Sequence, residues 1–169
     1  SQAKKRRAQS LSILETKIGS ITIETIMEIL RSHNTKANKA SVSSICMHAG
    51  GLIGDHTTGS YIVEYNDKHN IYYVTGASLP CLSIYKPILQ TPICTNKGIE
   101  YWLKRERLTR YFLSGQADKT SFIVERNNLE KAMLEALSDN NSKIEDAIID
   151  ITLKEEKLID KYLQSIIKT

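Results

Sequence analysis

Two short runs of β-branched and aromatic residues lie in the middle of this chain and restrict its fold more than any other feature. Ser60–Glu64 and Ile71–Thr75 both show the strand pattern, and the polar residues 66–70 between them predict a five-residue hairpin turn. Weak alternation over Ser41–Met47 predicts a further strand. Cys81–Ile88 predicts a short strand that its proline ends or places at a sheet edge.

Helical patterns lie on both sides of these strands. Over residues 3–17, apolar side chains recur at three- and four-residue steps and predict a helix that Gly19 ends. Thr22 is the predicted cap of a second helix with a broad apolar face. The later predicted helical features are Tyr101–Leu113, a helix that opens at Thr120 or Ser121, and a final helix begun by a capping box of Ser142 and Glu145.

The order of these patterns predicts an α+β fold, an antiparallel sheet flanked by helices with a long C-terminal helical hairpin. We expect an α+β portion over residues 1–118 and the hairpin, an antiparallel helix pair packed on that portion, over residues 119–169. A sheet that alternates apolar residues on one face must cover that face. We therefore expect a second polypeptide to bind through the sheet of Ser60–Tyr65 and Ile71–Thr75, with a homo-oligomer as the alternative.

Charge and hydropathy exclude several classes of protein. The chain of 169 residues has a formal net charge of only +4, and much of it comes from Lys4–Arg7. Because no base-reading motif accompanies this run, a nucleic-acid partner is not expected. No apolar run approaches the roughly 20 residues of a membrane span, so no membrane association is expected. Three cysteines at irregular spacing predict a reducing compartment, and we expect a cytoplasmic location.

Metal-capable side chains occur in the segment that contains Cys46, His48, Asp55 and His56, but their spacing fits no recognised zinc pattern. His33 falls near the end of the second predicted helix, where we interpret it as a C-terminal cap rather than a ligand. We therefore predict no metal site.

The sequence patterns around the other reactive groups predict no catalytic or cofactor-binding role for them. The glycines of residues 50–59 match no phosphate-binding loop, so no cofactor is expected. Ser1 precedes a basic helix start rather than a buried strand, which does not suit an N-terminal nucleophile. Cys81 and Cys94 lie among apolar residues and prolines, and nothing in the sequence pairs either thiol with a base. No catalytic residue is predicted in this chain.

Several longer motifs resemble the secernin and cysteine dipeptidase family. One is the helix Ile21–His33, with the letters ITIETIMEILRSH. A second is Ser43–Ala49, SSICMHA, followed by Thr57–Val63, TTGSYIV, and a third is Tyr73–Ile88, which ends in Tyr-Lys-Pro-Ile. Their order and spacing together carry the resemblance, which extends over about residues 6–135 and corresponds to the second half of a family member.

The resemblance implies part of an N-terminal nucleophile hydrolase, a four-layered αββα sandwich that hydrolyses dipeptides or other small amides. In that family an N-terminal cysteine attacks the carbonyl carbon and its own α-amine moves the proton. This sequence has no cysteine near its start, so the implied partner is a part or subunit that carries the nucleophile.

Within this interpretation, His48, Thr58 and Ser60 are the predicted substrate-binding residues, because loops at strand ends often line active sites. Their roles would be positioning and hydrogen bonding to a small peptide or amide. The alternative is a structural role, in which they form hydrogen bonds to backbone groups in a glycine-rich turn. The alternative function is a non-catalytic interaction protein that retains the family scaffold and docks a partner on its helical tail, residues 120–169.

Overall fold

The computed structural model of the chain describes residues 1–34, 41–49, 54–65, 70–88, 96–138 and 144–167. Within them it contains five α-helices, one three-stranded antiparallel sheet and a single 3-10 turn, which confirms the α+β class. None of these helices combines the length and apolar character that crossing a membrane requires. The elements are α1 (Gln2–Glu15), α2 (Ile23–Arg31), β1 (Tyr61–Glu64), β2 (Ile71–Thr75), the 3-10 turn (Pro80–Leu82), β3 (Tyr85–Ile88), α3 (Asn96–Leu113), α4 (Lys119–Ser138) and α5 (Ile144–Ile167).

The sheet has the order β1-β2-β3, and both neighbouring pairs are antiparallel. The predicted hairpin of β1 and β2 is confirmed, although residues 66–69 of its turn lie outside the described residues. Pro87 lies in β3, which pairs with β2 alone, so its missing N–H costs the described sheet no hydrogen bond. The predicted edge position of this proline is confirmed, but the strand predicted over Cys81–Ile88 begins only at Tyr85, because Pro80–Leu82 forms the 3-10 turn.

The two faces of the sheet have different surroundings. On one face, Ile62, Ile71, Tyr73 and Tyr85 are buried against residues of three helices, namely Met27 of α2, Met133 of α4 and Ile151 of α5. The opposite face is also rich in apolar and aromatic side chains, but it is less covered. Tyr61 on that face is 71% exposed, and the other members, all half-buried, are Val63, Tyr72, Val74, Lys86 and Ile88.

Local sequence signals explain where the helices begin and end. Thr22 caps α2 as predicted, with its hydroxyl accepting from Thr25 N and the Thr25 hydroxyl accepting from Thr22 N. Gly19 has φ +80° beyond α1, the left-handed conformation that glycine adopts without strain. Helix α4 begins at Lys119, just before the predicted Thr120 or Ser121, because Asp118 caps it by accepting from Thr120 N and Ser121 N.

Helix α1 is present as predicted, but its apolar stripe buries no residue. Leu11 is 40% exposed and Ile18, beyond the helix, is 80% exposed. One contact from this helix reaches the rest of the chain across a wide sequence gap, since Arg6 Nη1 donates to Val42 O at 2.5 Å.

A second core lies between the 3-10 turn and the last three helices. Phe112 of α3, Phe122 of α4 and Tyr162 of α5 stack there, with ring centroids 4.7 to 6.2 Å apart. Glu125, near the start of α4, binds Lys161 and the Tyr162 hydroxyl near the end of α5. This pairing confirms the antiparallel packing of α4 and α5. The proposed capping box of the final helix includes Ser142, which lies outside the described residues.

The predicted strand over Ser41–Met47 is wrong. This segment is irregular, and its one β-type pairing with another described residue is an isolated bridge between Ser41 and His48. Backbone N–H groups here bond serine hydroxyls instead of the carbonyls of a neighbouring strand. Ser43 N donates to Ser41 Oγ at 3.1 Å, and Asn34 N donates to Ser44 Oγ at 3.0 Å. Such local side-chain bonds compete with sheet formation, which explains the difference.

Candidate functional site

Four side chains that can bind a metal ion converge beyond the end of α2. They are His33, Cys46, His48 and Cys81, and their ligand atoms all lie within 4.8 Å of one another. His48 Nε2 approaches each of the others, at 3.0 Å from His33 Nε2, 3.7 Å from Cys46 Sγ and 3.2 Å from Cys81 Sγ. We call these four residues the His-Cys cluster.

His33 reaches the cluster because α2 ends earlier than its sequence pattern suggested. The helix ends at Arg31 and Ser32 is its C-cap, with the Ser32 hydroxyl donating to Ile29 O at 2.6 Å. His33 therefore lies outside the last turn, and the prediction that it caps the helix is wrong. Its ring instead meets the His48 ring edge to face, with centroids 4.8 Å apart.

The loop that carries Cys46 and His48 is tied to its surroundings on both sides. Cys46 N donates to Ser32 O at 3.1 Å, which places the cysteine beside the end of α2. Met47 N donates to Thr57 Oγ1 at 3.0 Å, and Thr57 N donates to Met47 O at 3.0 Å. The two ligand-type side chains therefore lie on a segment that backbone bonds fix, although it forms no regular strand.

Cys81 lies on the 3-10 turn, and two arginines hold the carbonyl groups of that turn. Arg126 Nη1 donates to Cys81 O at 2.5 Å. Arg31 donates through Nε to Pro80 O and through Nη2 to Ser83 O, both at 2.9 Å. Because guanidinium groups bond three carbonyls of this turn, the backbone position of Cys81 is fixed.

Glu130 of α4 joins these arginines to the sheet. Its carboxylate accepts two hydrogen bonds from Arg31, at 2.8 and 2.5 Å, and a third from Tyr85 N at 2.8 Å. The Arg31 and Glu130 side chains are only 13% and 6% exposed. Removing one partner of a buried, hydrogen-bonded ion pair strongly destabilises the fold, because the other charge is left uncompensated.

The cluster favours one ionised thiol. The pKa of Cys46 is lowered, chiefly because the Cys81 thiol donates to its sulfur, against the opposing effect of burial, and bonds to His33 and His48 add to the shift. The pKa of Cys81 is raised by its bond to Cys46 and by burial. Burial also lowers the pKa of Arg126 to about 10, helped by the nearby charge of Arg31.

The structure also pairs both thiols with a base, which the sequence did not indicate. Either cysteine could in principle be a nucleophile beside His48. Cys46, however, has 0% of its surface exposed. A nucleophile must reach its substrate, so burial argues against Cys46, and the raised pKa of the half-buried Cys81 disfavours the thiolate that would attack.

The predicted substrate-binding residues do not share a set of contacts. His48 points into the His-Cys cluster, Thr58 is exposed, and Ser60 Oγ accepts a hydrogen bond from the Tyr85 hydroxyl at 2.7 Å. Within the part of the chain that the structure describes, no hydrogen bond joins these three side chains to one another. Their role in binding substrate stays a prediction.

The prediction of no metal site relied on spacing along the chain. Because the fold brings the four side chains together, that spacing no longer argues against a metal site. Cys46 and His48 form a Cys-x-His pair that the sequence does display. His33 and Cys81 lie 13 residues before and 33 residues after that pair, so no local pattern connects them. The one available signal was that all four residues fall within motifs that also carry the secernin resemblance.

Comparison of the chain with protein-family models, with curated proteins and with solved structures finds no match. The resemblance to the secernin and cysteine dipeptidase family therefore stays a prediction based on the sequence motifs.

Proposed function

We propose that this chain is the C-terminal portion or subunit of a secernin-like amidohydrolase, which cleaves dipeptides or other small amides with a nucleophile from outside this sequence. The observation that carries the proposal is the difference between the two sheet faces. Helices cover one face, whereas Tyr61, Val63, Tyr72 and Val74 leave the other apolar and partly open. An αββα sandwich requires one face for its helical layer and one for a second sheet.

The occupant of the open face is the part that carries the nucleophile, because a second sheet would complete the four layers. Thr58 and Ser60 precede β1 and are the groups that contact substrate in this proposal. His48 supports that loop from within, since its Nε2 is engaged by the His-Cys cluster. The two described free thiols suit the reducing, cytoplasmic location that the sequence predicts.

The test is to isolate the native protein with everything that is covalently or tightly bound to this chain, and to determine the intact mass of each component. A panel of dipeptides is then assayed for amino-acid release. We expect release by the complete protein and none by the 169-residue chain alone. Thr58→Ala and Ser60→Ala should raise KM, and Lys131→Ala, on the exposed side of α4, is the matched control.

Two results would overturn the proposal. One is dipeptide hydrolysis by the chain alone, since this sequence would then contain its own nucleophile. The other is a complete native protein without activity on any small amide. Unchanged KM values for both loop variants would reject Thr58 and Ser60 as substrate contacts while leaving the reaction class in place.

Exposed apolar residues on two packed helices favour a second candidate, a non-catalytic interaction protein. Trp102 and Leu103 on α3 are 45% and 53% exposed, and Ile149 and Leu153 on α5 are 58% and 53% exposed. A partner bound on these helices would be lost in Trp102→Ala, and in this case the complete native protein would release no amino acid from any dipeptide. Light scattering distinguishes a bound partner from a homo-oligomer of this chain.

A further inference from the structure

We propose that His33, Cys46, His48 and Cys81 bind one Zn²⁺ ion in a closed, tetrahedral, structural site. This inference is independent of the proposed amidohydrolase function. It concerns how three separate segments of the chain are held together.

Distances within the His-Cys cluster agree with a tetrahedral ion. With Zn–S near 2.3 Å and Zn–N near 2.0 Å, ligand atoms around one zinc lie about 3.3–3.8 Å apart. The three separations from His48 Nε2 are 3.0, 3.7 and 3.2 Å, and no pair of ligand atoms exceeds 4.8 Å. The three distances from His48 Nε2 need shifts of a few tenths of an ångström, and the widest separation needs a shift of up to about 1 Å, to place all four atoms on one ion.

Hydrogen bonding alone does not account for the arrangement. A neutral imidazole nitrogen either donates one hydrogen or accepts, yet His48 Nε2 has a second imidazole nitrogen and two sulfurs as close neighbours. One nitrogen cannot make three good hydrogen bonds to such partners. A cation at the centre satisfies every one of these lone pairs at once.

Charge and ligand type select zinc among the common ions. Two thiolates and two neutral imidazoles around Zn²⁺ give a net charge of zero, which suits a site where Cys46 is fully buried. Sulfur and imidazole ligands in tetrahedral geometry are typical of zinc, whereas Mg²⁺ and Ca²⁺ require oxygen ligands. Four protein ligands leave no open position, so the ion has a structural role.

The surroundings fix the ligands before the ion binds. Cys46 N is bonded to Ser32 O beside His33, Ser41 N is bonded to His48 O, and Arg126 holds Cys81 O. Preorganised backbones of this kind reduce the ordering that metal binding requires. The ion then cross-links the end of α2, the loop over residues 41–49 and the 3-10 turn.

The experiment uses the full chain purified without a polyhistidine tag. Elemental analysis is expected to give one zinc per chain. Replacement by Co²⁺ should produce the strong visible absorption of tetrahedral cobalt together with thiolate-to-cobalt charge transfer. Removal of the ion with a chelator should lower Tm, and returning Zn²⁺ should restore it.

Variants distinguish this site from adventitious binding. Loss of a hydrogen bond that supports a ligand lowers metal affinity by about 10–100-fold. Because Cys81→Ser and His33→Ala each remove a ligand, they should weaken zinc binding by more than this. His56→Ala, which replaces a histidine outside the cluster, should bind zinc like the unchanged chain. If the ligand variants do not fold, the cobalt spectrum of the unchanged chain still decides the question.

Three outcomes would overturn the proposal. They are a Cys46–Cys81 disulfide in the native protein with no bound metal, a cobalt complex without thiolate charge transfer, and equal zinc affinity in Cys81→Ser, His33→Ala and His56→Ala.

Discussion

Gly76 shows how closely α3 approaches the end of β2. A methyl group at this position would lie 2.6 Å from Arg105 Cδ and 2.7 Å from Tyr101 Cε1. Neither neighbour moves freely, because Arg105 donates to Glu155 and to Tyr101 O, and the Tyr101 hydroxyl also bonds Glu155. The absence of a side chain therefore permits the contact between sheet and helix.

We expect Gly76→Ala to lower the free energy of unfolding by about 1–3 kcal/mol, because overpacking forces these side chains out of place. Gly59→Ala is the matched control, since its added carbon meets nothing within 4 Å and should change stability by no more than about 0.5 kcal/mol. Urea unfolding of both variants measures the difference. Equal values would mean that α3 can move away from the sheet at little cost.

Buried tyrosines predict a loss of stability in alkali. Burial raises the pKa of Tyr85 to about 12, against lowering effects of Ser60 and Arg31, and burial together with Glu64 raises the pKa of Tyr73 further. Between pH 10 and 12 the unfolded chain loses these protons while the folded protein keeps them. Stability that is complete below pH 10 therefore falls as the pH rises.

Tyr85→Phe should reduce the alkaline slope of the unfolding free energy by up to about 1.4 kcal/mol per pH unit, because one titrating group is removed. The measurement is denaturant unfolding at several pH values from 9 to 12. Ser60→Ala deletes the partner of the Tyr85 hydroxyl but keeps the phenol, so a large slope should persist in that variant. A slope unaffected by Tyr85→Phe would contradict the assignment.

At the scale of elements, α3 and α5 are joined by a buried ion pair. Arg105 and Glu155 have side chains only 4% and 2% exposed, with Arg105 Nε 2.6 Å from Glu155 Oε1. Lys104 and Asp160 form a second, more exposed bridge between the same helices. These two helices are therefore joined by one interior charge pair and one surface pair, in addition to the packing of Phe112 against Tyr162.

Glu155→Gln should cost about 3–5 kcal/mol, because it leaves the Arg105 charge buried without its counter-ion. On the same helix, Asp150→Asn breaks the exposed pair with Lys154 and should cost no more than about 0.5 kcal/mol. Thermal and urea unfolding of the two variants gives the comparison. Similar losses in both would show that water reaches the interior pair.

Elements with local signals were predictable from the sequence, and those that depend on distant contacts were not. The hairpin was evident in its alternating residues, and α2 in the Thr22 cap. The alternation of Val42, Ile45 and Met47 predicts a strand, but it carries no information about serine hydroxyls that bond the backbone nearby. The His-Cys cluster was missed because its members lie up to 48 positions apart in the sequence and meet only after α2 and the 3-10 turn pack together.

For the whole molecule, Arg31 links the candidate metal site to both cores. It bonds Pro80 O and Ser83 O on either side of Cys81, and its guanidinium pairs with Glu130, which also accepts from Tyr85 N. A substitution at any one of these groups is therefore expected to displace the others. Stability and metal affinity should change together when this arginine is altered.

We expect Arg31→Lys to weaken zinc binding by about 10–100-fold, because a point charge cannot replace a planar group that bonds two carbonyls and a carboxylate. Zinc affinity is measured by competition with a chromophoric chelator, and Tm is measured on the same samples. The Arg110 side chain is 70% exposed, so Arg110→Lys should leave both zinc affinity and Tm unchanged. A lower Tm with unaltered zinc affinity would show that Arg31 supports the fold without positioning Cys81.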